Sequence, residues 1–307
     1  MRVTLLASAD FAVPTLERLI AAGHEVQVGT QPSRPAGRGR KLRPTPIGAR
    51  CADLGLDARE LDDCNDKDSL DWLTSTQPDA IVVVAFGQKL GPAVRAAAPW
   101  GCLNIHPSLL PRWRGAAPVQ AALLAGDEVT GVCIIDVVER MDAGDVLAVK
   151  KTPTAGKSAG DLLEELSETG AQLMLEVLDM LARGDAVRAS QDEEQVTRSK
   201  KVHKDDGRIR WEHDAREVDC RVRAMTPKPG AFTCLPDGTE LRLLAGEAID
   251  VPRGALPGER LDMDGLVIAC GSGAYRVTRV QRQGGKPMDV DAFLRGASLA
   301  DGVRMGP

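Results

Sequence analysis

Asn104-Ile105-His106-Pro107-Ser108-Leu109-Leu110-Pro111-Arg112-Trp113-Arg114-Gly115 is the stretch that decides how this chain is read. The apolar residues leading into it read as a buried strand over Cys102–His106. Strand side chains alternate faces, so Asn104 and His106 point the same way. Pro107 cannot continue a central ladder and Pro111 follows closely, so the chain turns outward before a small-residue helix that begins near Ala116. An amide and an imidazole are thereby offered together at a sheet edge, where open α/β folds bind ligands. Read alone, an Asn-x-His at a strand end also fits two groups that merely cap a loop.

Outward from this stretch, short apolar runs alternate with helical segments. Strands are expected at Val3 to Ala7, Glu25 to Thr30, Ile81 to Phe86 and Gly131 to Val137, with helices at Ala12 to Ala22, Ala116 to Ala125 and Ala159 to Arg183. Such βα units imply an α/β fold with a mostly parallel twisted sheet covered on both faces. Ala189 to Asp206 is polar, charged and aperiodic, the composition of a linker. Beyond it, Pro236-Asp237-Gly238-Thr239 reads as a hairpin turn between Ala231 to Leu235 and Glu240 to Leu244, and further β-type runs cover Leu266 to Cys270 and Ala274 to Gln281. A small β-barrel fits this pattern, and so does a sandwich.

With 307 residues, 43% hydrophobic side chains and a net charge of −5, the composition is that of an ordinary soluble protein with chain enough for two domains. The chain opens directly into a strand, and its longest apolar run, Ala80 to Phe86, falls far short of the ~18 residues a membrane helix needs. A cytoplasmic protein with no membrane partner is expected. Seven cysteines without a C-x-x-C pair argue against a disulfide framework, and Cys102 and Cys133 sit in apolar runs as small buried thiols. His24, His106, His203 and His213 lack metal-ligand spacing, so no metal site is expected. Thr154-Ala155-Gly156-Lys157-Ser158 has the end of a P-loop, but Lys151 stands where its first glycine belongs; Ala7-Ser8-Ala9-Asp10-Phe11 after the first strand is not a G-x-G-x-x-G either, which disfavours a nicotinamide cofactor.

The twelve-residue string resembles the signature of the folate-dependent formyltransferases, Asn-x-His-x-Ser-Leu-Leu-Pro followed by an Arg-Gly pair, and the resemblance runs nearly end to end. The family more often has Gly-Thr-Pro-Asp-Phe where Ala7 to Phe11 stand, so Ala9 is a small departure. The resemblance implies that Asn104 and His106 bind the formyl oxygen of 10-formyltetrahydrofolate, with Asp142 pairing with the imidazole and Asp145 as the competing carboxylate. It also implies folate contacts from Phe86, Gly87, Gln88 and Leu90, from Ser108, Leu109, Leu110 and Pro111, and from Val138. On their own, Phe86 and Leu90 read equally well as core, and Ser108 as a brace for the turn. The implied architecture is a Rossmann-like catalytic domain over residues 1–188, a linker over 189–206 and an OB-like, tRNA-binding barrel over 207–307. In the second half the match is confined to Arg208-Ile209-Arg210-Trp211 and the strand pattern.

Gln31-Pro32-Ser33-Arg34-Pro35-Ala36-Gly37-Arg38-Gly39-Arg40-Lys41-Leu42-Arg43-Pro44-Thr45-Pro46 contains no acidic residue and forms a positive arm in an acidic protein. As a generic basic run it fits a solvated loop; its prolines and glycines give it a shape suited to a phosphate-bearing surface. The arm resembles the insertion, Gln-Pro-x-Arg-Pro-Ala-Gly-Arg-Gly, of the family members that act on tRNA, which enters the acceptor end of the initiator tRNA. On this match Arg38 reaches a base, Arg40, Lys41 and Arg43 lie along phosphates, and Arg34 is a further tRNA-binding residue.

The implied function is transfer of the formyl group of 10-formyltetrahydrofolate to the amino group of methionyl initiator tRNA for translation initiation, by a monomer. The reaction develops negative charge on the formyl oxygen, so Asn104 and His106 act as donors while Asp142 favours a protonated imidazole, and no covalent enzyme intermediate is required. A formyltransferase for glycinamide ribonucleotide or an amino sugar would share these three residues, but has no use for a stiff arginine arm. A non-catalytic RNA-binding protein would need stacking aromatics, and only 3% of the chain is aromatic.

Overall fold

Runs of β-branched and aliphatic residues build the central sheet. Ala80–Val84 is buried at every position, as a parallel strand covered on both faces requires. The computed structural model describes all residues except 37–40, 252, 253, 298 and 307. They form two compact units. The first comprises Met1–Gly115, Val129–Pro153 and Leu163–Arg198, and the second Ala116–Glu128, Thr154–Leu162 and Ser199–Pro307. The expected spacer over 189–206 is divided between them, its first ten residues packing with the first unit.

In the first unit, strands β1 (Arg2–Ala7), β2 (Glu25–Thr30), β3 (Ala58–Glu60), β4 (Ala80–Val84), β5 (Cys102–His106), β6 (Val129–Asp136) and β7 (Val146–Pro153) lie in the order β7-β6-β5-β4-β1-β2-β3. Strands β1 to β5 run parallel to their neighbours, while β6 is antiparallel to β5 and β7 to β6. The sheet is therefore mostly parallel, as expected. Strand β4 stops two residues earlier than the apolar run, because Ala85 and Gly87 adopt φ of +46° and +86° and break the ladder. The helix Ala159–Arg183 has the expected bounds, and Gly170 lets it lie close on the sheet, since a Cβ there would stand 2.6 Å from Ile105 Cγ2.

Helices Pro46–Asp53, Lys67–Ser75 and Ala215–Met225 were absent from the sequence expectation. They are short and polar overall, so their few apolar positions, although at helical spacing, stand out little in the sequence. What marks them is the cap: Thr45, Asp66 and Asp214 accept from the N–H groups of Gly48, Ser69 and Glu217.

The second unit carries antiparallel strands β8 (Ala231–Cys234), β9 (Glu240–Ile249), β10 (Leu266–Ala269) and β11 (Ala274–Arg282), in the order β8-β9-β11-β10. Isolated bridges Arg260↔Ile268, Glu259↔Arg304 and Cys234↔Gly306 carry the pairing from β10 round to β8, which decides for a small barrel over a sandwich. Register shifts in β9 before Gly246 coil the strand, and the missing side chain of Gly246 makes room for the ring of Tyr275, 2.6 Å from where a Cβ would be. Trp211 is buried with its indole N–H on Thr233 Oγ1 at 3.0 Å.

Candidate active site

Strand β5 ends in the first unit at His106, and the chain folds over it in a turn braced by Ser108. The buried Ser108 hydroxyl donates to the Arg112 carbonyl at 2.7 Å and the Ser108 N–H to the His106 carbonyl at 2.9 Å, so the serine is spent on the turn. Leu109 packs over the sheet at Gly131, where a Cβ would lie 2.5 Å from its Cδ2. Leu110 and Pro111, joined by a cis bond, are half-buried beside it. Trp113 adopts φ +65°, a rare conformation for a bulky residue, with its ring under the Arg112 guanidinium at 4.4 Å.

His106 is 3% exposed. Its Nδ1 faces Asp142 Oδ1 at 3.6 Å and its Nε2 the Trp113 carbonyl at 3.1 Å. Asp142 stands on a turn at φ +54° and accepts the Gly115 N–H at 2.8 Å through Oδ2. Burial holds the imidazole below the ordinary histidine range, outweighing the Asp142 carboxylate and the Trp113 carbonyl, which both pull upward. Asp142 favours the protonated ring, as expected, but burial opposes it more strongly and the balance lies towards the neutral form. A neutral ring donates from one nitrogen only, whereas proton uptake would satisfy both acceptors. Asn104 is half-buried, two residues back on the same face of β5. Among the described residues none hydrogen-bonds to its side-chain amide. Of the two candidate carboxylates, Asp142 is the one at His106; Asp145 begins the return to β7, its carbonyl taking the Asp136 N–H at 2.9 Å.

The neighbouring turn after β4 divides the folate candidates. Phe86 and Leu90 belong to a core cluster with Leu6, Leu61, Ile81 and Val94. Gln88 is occupied structurally, donating to the Leu61 carbonyl and accepting the Cys64 N–H, each at 2.8 Å. Gly87 is exposed at the head of the turn, and Val138 is 42% exposed on the Asp142 loop. Gln31 joins this turn to the basic arm: Nε2 donates to the Phe86 carbonyl at 2.9 Å and Oε1 accepts from Arg34 at 2.8 Å. The arm itself begins as a hairpin pairing Arg34 with Arg43 and Ala36 with Lys41. Arg34, Lys41 and Arg43 are exposed; Arg38 and Arg40 lie outside the described residues.

The sequence reading missed the polar support behind Asp142. Arg114, 1% exposed, donates to Gln191 Oε1 at 3.0 Å and to Glu193 at 2.9 Å, and Arg140 reaches the same Glu193 carboxylate at 2.7 Å. The two guanidinium groups hold Glu193 below the usual carboxylate range. Thr197 accepts the Trp113 N–H through Oγ1 at 2.9 Å and the Arg114 N–H through its carbonyl at 3.0 Å. The Arg-Gly pair of the opening motif was the available signal; its partners sat in the polar stretch after 188. Among the described residues no cluster of His, Cys, Asp and Glu could hold a metal ion, and no helix is long and apolar enough to cross a membrane.

A parallel sheet presenting an amide and a carboxylate-backed imidazole at one strand end, followed by a small antiparallel barrel, defines a two-module α/β transferase architecture. The formyl transferase family model matches residues 1–178, and that of the formyl transferase C-terminal domain matches 201–298. The chain belongs to the formyl transferase family. A methionyl-tRNA formyltransferase of Novosphingobium aromaticivorans is 47% identical over 307 residues, covering 100% of both chains. Among solved structures, a sugar 3N-formyl transferase, WlaRD, determined in the presence of dTDP and 5-N-formyl-THF, shares the fold with a TM-score of 0.68 at 12% identity, over 93% of this chain and 99% of its own. HypX of Aquifex aeolicus, in complex with tetrahydrofolic acid, gives 0.63 at 22% identity over 96% of this chain, which spans 47% of the HypX chain.

Proposed function

We propose that this enzyme transfers the formyl group of 10-formyltetrahydrofolate to the amino group of methionyl initiator tRNA, in the cytoplasm and as a monomer. The observation that carries the chemistry is the Asn104 amide, without a hydrogen-bond partner among the described residues, on the same strand face as an imidazole backed by Asp142. The donor supplies an activated one-carbon unit at the oxidation level of formate. In the transfer, the amine nitrogen bonds to the formyl carbon as the bond from that carbon to the folate nitrogen breaks; the amine loses a proton and the folate nitrogen gains one. Asn104 offers an N–H to the formyl oxygen as it gathers charge. His106, with its resting proton on Nδ1 towards Asp142, takes up at Nε2 the proton that the amine loses once the Trp113 carbonyl gives up that face; Asp142 stabilises the imidazolium so formed, which donates to the formyl oxygen and hands the proton on to the folate nitrogen. The backbone of the Ala85–Gly87 turn and the side of the Asp142 loop at Val138 flank the folate.

The basic arm favours a tRNA acceptor over a small one, with Arg34, Lys41 and Arg43 on phosphates and Arg38 at a base. The full-length likeness to methionyl-tRNA formyltransferases supports the same acceptor. The test is transfer of labelled formyl to initiator methionyl-tRNA, beside glycinamide ribonucleotide and an amino-sugar nucleotide. Transfer to tRNA alone is expected; transfer only to a small acceptor would overturn this choice. Arg38→Ala is expected to abolish transfer to tRNA while leaving folate binding intact, measured by tRNA kinetics and folate titration; equal loss of both would refute a role for the arm.

A further inference from the structure

We infer that Gln191 is a positioning residue for formyl transfer, because its side-chain amide fixes the turn that carries Asp142 and so sets how that carboxylate meets His106. The inference rests on the reading of Asn104, His106 and Asp142 given above. Gln191 comes from the polar stretch that the sequence marks as a spacer, 49 residues from Asp142 and 77 from Arg114, yet it bonds to both.

Its Nε2 donates to the carbonyls of Asp142 at 2.8 Å and Gly144 at 2.7 Å, and its Oε1 accepts from Arg114 Nε at 3.0 Å. The chemistry leaves one orientation for this amide. A guanidinium only donates and a carbonyl only accepts, so a flipped amide would face repulsion on both sides. Arg114 in turn is anchored on Glu193.

The turn needs such a hold. Asp142 adopts φ +54°, and Gly144 is pressed so tightly on Asp136 that a Cβ would stand 1.8 Å from its carbonyl oxygen. The Gly115 N–H grips the Asp142 carboxylate from the other side at 2.8 Å, directly after Arg114 in the chain. With His106 Nδ1 and Asp142 Oδ1 3.6 Å apart, beyond a normal hydrogen bond, a small shift of the turn decides whether the pair couples.

The test is a double-mutant cycle in the full-length enzyme. Gln191→Met keeps length and volume without the amide, and Gln191→Glu keeps the contact to Arg114 but sets an acceptor against two carbonyls. Each is made alone and with Asp142→Asn. Each single change is expected to lower kcat roughly 10- to 100-fold with KM for folate and tRNA little changed. In the Asp142→Asn background neither is expected to cost more, since the residue acts through that carboxylate. Additive losses, a loss confined to KM, or a loss that follows the unfolded fraction in thermal melts would overturn the inference. Full activity of Asp142→Asn alone would instead overturn the reading of the site on which it rests.

Discussion

Arg114 and Tyr275 are both sealed from solvent, at 1% and 0% exposure, yet they meet opposite fates. The guanidinium of the first unit finds Gln191 and Glu193, whereas the Tyr275 hydroxyl of the barrel has no hydrogen-bond partner among the described residues. Burying a polar group without a partner is costly, so the two burials are offset in different ways. Arg114 organises the turns around the proposed reacting centre. Tyr275 contributes its ring, which fills the space left by Gly246, and its hydroxyl is carried along.

The comparison is tested hardest where a polar group has been kept for a substrate. Asn104→Ala is expected to lower single-turnover formyl transfer by about 10²–10³-fold with no change in melting; a loss under about tenfold would show that the amide is no donor to the developing charge. Arg114→Leu comes next, with an expected loss of about 2–4 kcal/mol of stability in denaturant titrations, as charge-assisted bonds disappear from a buried site. Stability equal to that of the parent would place Arg114 in the same category as Tyr275.

A smaller effect concerns protons. The groups facing the His106 ring are the Asp142 carboxylate and the Trp113 carbonyl. Because the folded ring binds its proton less readily than the unfolded one, the unfolded state takes up more protons just below the free histidine value of about 6.5. The stability contributed by the neutral ring is therefore present above that pH and drains away as pH falls towards the folded value. Asp142→Asn removes a group that raises the imidazole, so the His106 titration followed by NMR is expected to move to still lower pH. A move upward would mean that the carboxylate does not govern the ring. Tyr275→Phe should be the mildest change, neutral or stabilising by about 1 kcal/mol; a loss of 2 kcal/mol or more would reveal a bond to the hydroxyl.

The parts of this molecule legible in sequence are those whose signal is local. The bounds of β2, β5 and the helix Ala159–Arg183 follow from hydrophobic period alone. That Asn104 and His106 share a face follows from strand alternation; their candidacy for the site, like that of Asp142, came from a motif match. Gln191 and Thr197 were invisible because their roles depend on partners some eighty residues away, and a polar, aperiodic stretch looks the same whether it spans solvent or straps an active site. The interleaving of Ala116–Glu128 and Thr154–Leu162 with the second unit was hidden for the same reason. Phe86 and Leu90, read evenly as core or contact, are core by packing. The lowered proton affinity of His106 also lay beyond sequence, since it depends on how much burial outweighs one nearby carboxylate.

The hairpin that starts the basic arm sets Arg34 directly opposite Arg43, and like charges facing each other across two strands push them apart. Facing Cα atoms in such a ladder are about 5 Å apart, within the screening length of about 8 Å at physiological ionic strength, so ordinary salt leaves part of that repulsion in place. Adding salt therefore has two opposed effects on this element: it relaxes the hairpin's internal repulsion and weakens its pull on any polyanion. The paired strands of the arm thus carry a repulsion of their own, and a polyanion that neutralised Arg34 and Arg43 would relieve it.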